Sequence, residues 1–164
     1  PRKSEAAALP FADCGVRVSI VRPSRFVHGI GDLHGFIPQL IGIARKAGFS
    51  AYIGDGKNRI QAVNILDAAT LFRLALEKGT AGARYQAVGD PGVEFGEIAR
   101  AIAKGLGIPA VSISQGEAMG HFGFLGMIVG VDNPASSEAT QKALGWRLGN
   151  LGLLEDLESG AYFA

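Results

Sequence analysis

Residues 16–21, Val16-Arg17-Val18-Ser19-Ile20-Val21, are rich in β-branched side chains and partly alternating, which is how a strand reads. The stretch Arg22 to Gly35 that follows is rich in Gly and Pro and reads as a loop. Phe36 to Ala47 then sets Ile37, Leu40, Ile41 and Ala44 at helical spacing, and Gly48 closes that helix. Strand, loop and helix recur downstream. Ala51-Tyr52-Ile53 is a short strand into the turn Gly54-Asp55-Gly56, and Ala62 to Ile65 is another extended piece. Asp67 is expected to cap a helix reaching Lys78, its side chain accepting from free amides of the first turn. Arg84 to Val88 reads as a strand, and Ala110 to Ile113 as another. Between them Glu94 to Gly105 reads as a helix, with Phe95, Ile98, Ile102 and Leu106 along one face. Each crossover helix needs a sheet face to cover, so the alternation specifies an α/β chain with parallel strands.

The ends are helical. Ser4 to Leu9 reads as a helix that Pro10 breaks or kinks and Gly15 ends, with Cys14 as a small apolar filler there. Ser114 to Phe122 and Leu125 to Val131 read as apolar helices. Ser136 or Ser137 caps another that ends at Gly145-Trp146, and Leu151 to Leu157 forms the last. Repeats and low-complexity tracts are absent from the sequence. Residues 1–164 read as one domain, with 106–109 as the place where two lobes could part.

The bulk composition excludes several classes. Apolar residues make up 48% and charged residues 19% of the 164, a folded rather than a disordered composition. Net charge is +1 and the charges are scattered, so there is no basic stripe for nucleic acid. Phe122 to Val131 is the longest apolar run and is too short for a bilayer, which needs roughly twenty residues. With one cysteine, no signal peptide and no membrane span in the sequence, the expected compartment is the cytoplasm. The first residue is Pro1 rather than Met, which leads to the expectation of a cut or trimmed chain.

Four segments in order carry a family resemblance. They are Val18-Ser19-Ile20-Val21-Arg22-Pro23-Ser24-Arg25-Phe26-Val27-His28-Gly29, Tyr52-Ile53-Gly54-Asp55-Gly56-Lys57-Asn58-Arg59, Val63-Asn64-Ile65-Leu66-Asp67-Ala68-Ala69, and Tyr85-Gln86-Ala87-Val88-Gly89 followed by Phe95-Gly96-Glu97-Ile98-Ala99. Asp132 through Leu144-Gly145-Trp146 adds a closing element. Each motif is weak alone, but together they cover nearly the whole chain. The sequence resembles the C-terminal half of NAD-dependent epimerase/dehydratase proteins, the extended short-chain dehydrogenases. The resemblance implies a partial doubly wound, Rossmann-like parallel sheet with a small C-terminal substrate lobe. It also implies that the nucleotide-binding half precedes this one in a parent protein.

The resemblance further implies site residues. Arg22, Pro23, Ser24 and Val27 would pass the nicotinamide ring of NAD or NADP, or else merely form a strand end with a loop-forming Pro. Phe36, Ile37 and Leu40 would border the substrate pocket, or else be core residues at helical spacing. Arg59 would hold a diphosphate with its guanidinium fork, or else be a solvated arginine; counting back from Asp67, the family's Arg falls on Ile60. Asn64 stands where the family has His, as a further substrate-side residue. The family's catalytic Tyr has no counterpart in this sequence and Lys3 is out of register for its Lys, so no catalytic residue is assigned. Tyr52, Tyr85 and Tyr162 read as packing residues.

Two patterns imitate binding sites. Gly29, Gly31 and Gly35 imitate a dinucleotide fingerprint, but Gly29 lies about seven residues past the expected strand end, not in a tight turn. They are therefore read as turn glycines, and this chain alone is expected to bind no cofactor. His28, Asp32 and His34 could ligate a divalent cation, but their spacing is irregular and no metal is assigned. His121 reads as a core or rim histidine.

The leading expectation is the substrate-binding part of an NAD(P)-dependent epimerase/dehydratase or reductase-like protein acting on a sugar nucleotide or similar hydroxyl compound. The alternative is a non-catalytic module that binds a metabolite or a partner. An open strand edge makes self-association, or pairing with a separate N-terminal half, the expected partnership.

Overall fold

A computed structural model of the protein describes residues 3–163. Helix α1 (Lys3–Ala8) runs into a 3-10 turn (Leu9–Cys14), as Pro10 dictates, and left-handed Gly15 ends it. The elements that follow are β1 (Ile20–Pro23), β2 (Phe26–His28), α2 (Phe36–Ala47), β3 (Ser50–Ile53) and β4 (Arg59–Asn64). Then come α3 (Ile65–Lys78), β5 (Arg84–Ala87), β6 (Asp90–Glu94), α4 (Phe95–Leu106) and β7 (Ala110–Ile113). Short helices α5 (Ala118–Phe122), α6 (Gly126–Val129), α7 (Glu138–Leu144) and α8 (Leu153–Glu158) complete the chain.

The expected α/β class with parallel strands is what the chain adopts. β1 pairs with β5, β2 with β4 and β3 with β7, all parallel, while β6 adds to β4 antiparallel. One core gathers α2, α4 and α8 against β2, β3 and β4, around the fully buried Phe26, Ile37, Ile60, Phe95 and Ile98. A second cluster joins α3 and β5 to Trp146 and Leu144. The 106–109 segment links α4 to β7, and Leu106 and Ile108 pack against the first core.

Several elements differ from the sequence reading. The first strand starts at Ile20, four residues later than expected. Val16 to Val18 do other work: Val18 accepts from the Gly82 amide, and the Arg17 guanidinium caps α3 by donating to the carbonyls of Leu76 and Glu77. The stretch read as loop holds strand β2, whose Phe26 is buried and whose partner is β4, contacts that a local pattern does not encode. Strand β6 was also missed, because its Pro91 and Gly92 look like turn residues. The region after Ser114 forms helix only from Ala118 and breaks at Gly123, whose φ of 57 stops α5. Ser137 precedes α7 but spends its hydroxyl on the Val88 carbonyl, while Ser136 Oγ accepts from the Glu138 amide. Cys14 is exposed, not a filler.

Asp67 is not the cap of α3. Asn64 is, its Oδ1 accepting from the Leu66 amide. Asp67 is buried in the first turn, and its carboxylate takes the amides of Gly149 and Asn150 and the side-chain amide of Asn150. The turn 54–56 packs against α4 so tightly that a Cβ on Gly56 would stand 2.8 Å from the Gly96 Cα, which explains glycine at both positions.

Candidate functional site

β2 and β4 run parallel, and their C-terminal ends set the buried His28 beside the buried Asn64. His28, at the end of β2, is fully buried. Its Nδ1 lies 2.8 Å from Asp156 Oδ2 on α8. A carboxylate only accepts, so Nδ1 carries the hydrogen. Its Nε2 is buried and has no hydrogen-bond partner. It faces Asp90 Oδ2 across 3.9 Å, beyond hydrogen-bond reach.

Two clefts flank this histidine. One, of about 350 Å³, is lined by Asn64, Asp67 and Asp90 with Asn150, Gly152 and Glu155. The other, of about 240 Å³, lies under the loop 29–33 and is closed by Asp156 and Tyr162. Tyr162 packs against the first core, as expected, and is a polar fastener as well. Its hydroxyl donates to Asp32 Oδ2 and accepts from the Gly29 amide. Burial, joined by the carboxylates of Asp32 and Asp156, raises its pKa, so it stays protonated.

Gly29 and Gly31 lie in the loop after β2, both with positive φ, and Gly35 precedes α2. Gly29 directly follows a strand, because β2 ends at His28; the ground on which the sequence reading dismissed it does not hold. The loop still does not fit a pyrophosphate. The Gly29 amide is taken by Tyr162 and the Gly35 amide by Asp32 Oδ1, and the Asp32 carboxylate would repel an anion.

The residues expected at the cofactor and substrate sit apart. Arg22 is bidentate on the buried Glu5, and this contact holds the Glu5 carboxyl below its ordinary range. Ser24 is buried, with its hydroxyl on the Ala87 carbonyl. Pro23 is exposed and Val27 half-buried. Ile37 and Leu40 are core residues; Phe36 is half-buried, edge-on to Phe26 and Phe124. Arg59 forks onto Asp132, with Nε to Oδ1 at 3.0 Å and Nη2 to Oδ2 at 2.8 Å. That pairing, with the Arg59 amide also donating, holds Asp132 at about 2. Only Asn64 lines the larger cleft. Nothing in the sequence joined His28 to Asp156, 128 positions away. Asp90, just past a strand end, was the one legible signal.

His34 does not join His28 in a metal site: among the described residues no group of three metal-ligating side chains occurs. His121 stacks on Phe49, and burial lowers its pKa.

No family model matches the chain. An uncharacterized protein of Schizosaccharomyces pombe is 52% identical over 164 residues, 99% of this chain and 55% of the relative. The chain spans about half the length of the curated relatives it matches, 55% and 52%. Among solved structures, the dTDP-glucose 4,6-dehydratase DesIV of Streptomyces venezuelae, with NAD and TYD bound, superposes at a TM-score of 0.70. The identity is 19%, over 98% of this chain and 48% of that one. A nucleoside-diphosphate-sugar epimerase of Pseudomonas aeruginosa gives 0.68 at 22% identity, over 98% and 54%. The chain has the fold of about half of such an enzyme. The Rossmann-like expectation thereby stands. No helix among the described residues is long and apolar enough to cross a membrane.

Proposed function

We propose that the chain is the substrate-holding part of an NAD(P)-dependent epimerase/dehydratase or reductase-like protein that acts on a sugar nucleotide or similar hydroxyl substrate. The observation that carries this reading is the superposition of 98% of the chain on about half of a dTDP-glucose 4,6-dehydratase. Residues 1–164 are taken as one domain, cytoplasmic in setting. Arg22, Pro23, Ser24 and Val27 would lie on the cofactor side, with Phe36, Arg59 and Asn64 toward the substrate and Ile37 and Leu40 backing them. NAD or NADP would be held chiefly by a further segment, for which the edge of β1 is the docking place. Among the described residues β1 has β5 as its one partner strand. Beside it runs an apolar groove with Val18, Val21, Phe72 and Leu76 in its walls.

Titration of the chain alone, followed by amide chemical shifts, tests the reading. A panel of sugar nucleotides is expected to shift amides within residues 24–40 and 59–64, while NAD does not saturate. Saturable NAD binding by this chain alone overturns the assignment of the cofactor to another segment. A second reading, a metabolite-binding module without catalysis, is favoured by the two clefts lined by residues of this chain.

A further inference from the structure

We infer that loop 29–33 is a lid over the cleft it shares with residues 159–163, and that the Tyr162 hydroxyl is the latch that holds it shut. The motion belongs to the chain without ligand and does not rest on the substrate-holding reading.

The two sides of this cleft are held differently. The strap 159–163 is anchored on both sides of Tyr162. Ser159 Oγ donates to the Asp156 carbonyl at 2.7 Å. The Phe163 amide donates to the Gly160 carbonyl, and the Phe163 carbonyl accepts from Arg45 Nη2 on α2. The Phe163 ring lies so close to Gly105 of α4 that a Cβ there would overlap it. Tyr162 and Phe163 both pack against the first core.

The loop has no such anchors. Ile30 and Leu33 line the cleft but are 81% and 75% exposed, so little apolar burial holds the loop down. Its own hydrogen bonds are short-range: the Asp32 amide donates to the Gly29 carbonyl, the Leu33 amide to the Gly31 carbonyl and the Gly35 amide to Asp32 Oδ1. Among the described residues, two hydrogen bonds tie 29–33 to anything beyond residue 35, and both end on one atom. The Tyr162 hydroxyl accepts from the Gly29 amide at 2.8 Å and donates to Asp32 Oδ2 at 3.0 Å. Gly29 and Gly31, with φ of 119 and 84, give the loop hinge residues free of the Cβ barrier. The strap is therefore the fixed side and the loop the moving one.

Magnitude decides between a lid and a fixed wall. A hydrogen bond exchanged with water is worth little net, so two of them leave an open state populated on the order of 1%. Opening changes what the cleft presents. Its wall holds Asp156, 7% exposed, whose Oδ2 meets His28 Nδ1. With the lid raised, solvent reaches the Asp156 end of that buried pair.

The test is relaxation-dispersion NMR and amide hydrogen exchange on the chain without ligand. In the parent, residues 29–33 and 161–162 are expected to exchange at one common rate, because one latch joins them; a fixed wall gives no such exchange. Tyr162→Phe keeps the ring and its packing and removes the hydroxyl. It is expected to speed exchange of the Asp32 and Leu33 amides, whose acceptors lie inside the loop, about tenfold, the weight of one net hydrogen bond. The amides of α2 and α4 are expected to stay as they were. Asp32→Asn, whose side-chain oxygen can still serve the Gly35 amide, removes the carboxylate that Tyr162 holds and is expected to act in the same direction. The latch is overturned if the parent shows no exchange at 29–33, if neither variant speeds the Asp32 and Leu33 amides, or if Tyr162→Phe loosens α4 as much as the loop. The sugar-nucleotide titration needs a ligand and this test has none, so either proposal can fail while the other stands.

Discussion

β4 lies between β2 and β6 and carries Ile60, Ala62 and Val63, all with no exposed surface. β1 has β5 on one side and, among the described residues, no strand on the other, and none of its four residues is fully buried. The two regions share a chain and a fold class but are finished to different degrees. Around β4 the helices α2, α4 and α8 close a core in which buried polar groups such as His28 and Asp156 are held by each other. Around β1 the second cluster is covered by α3 and Trp146, while Phe72 and Leu76 remain 48% and 75% exposed. The β1 region presents a strand edge and an apolar face, which are what the proposed docking of a further segment would use.

This contrast can be attacked by mutation. The largest expected effect comes from Trp146→Ala. The indole is 1% exposed and donates to the Asp67 carbonyl, so its loss costs about 3–5 kcal/mol, read from urea unfolding. If the two clusters are separate packing units, amide-exchange protection falls first in β1, β5 and α3; uniform loss across the chain would break the comparison. Next is Asp67→Ala, which strands the Gly149 and Asn150 amides and is expected to cost about 1–3 kcal/mol. Its readout is faster exchange of those amides, with the core around Ile98 unchanged.

A smaller, local effect is expected from pH. Asp132 titrates at about 2, below an ordinary aspartate, because Arg59 binds its charged form. A depressed carboxylate stabilises the folded state above its unfolded pKa, and that contribution is lost as pH falls from roughly 4 toward 2. The 131–134 strap should then loosen from β4, where the Asn133 amide meets the Arg59 carbonyl. A Asn133 exchange rate that stays flat over this window would show that the ion pair does not hold the strap. The smallest effect on stability, within about 0.5 kcal/mol, is expected from Phe72→Gln with Leu76→Gln, because both side chains are exposed. The same pair is expected to reduce any self-association measured by light scattering. Unchanged association would place the contact elsewhere.

How much was legible follows the range of the physics. The helix of residues 36–47 was read to the residue, because its apolar spacing and Gly48 are local signals. The helix beginning near Phe95 was placed within a residue for the same reason. β2 and β6 were not read, since three residues beside a glycine loop and a segment holding Pro91 and Gly92 become strands only by pairing with β4. Asp67 looked like a cap because capping is a local pattern; its partners lie more than eighty positions away. Arg22 reads as part of a segment passing a cofactor and Arg59 as either a diphosphate ligand or a solvated arginine; the fold gives each a carboxylate partner, Glu5 and Asp132.

The sequence by itself determined the α/β class, the parallel pairing, most helix positions and the resemblance that the superposition supports. These follow from periodicity and turn chemistry, which act over a few residues. Tertiary structure alone decided where the charges go. An ion pair or a shared proton depends on a few ångströms between residues such as His28 and Asp156, a distance set by strand register and helix packing.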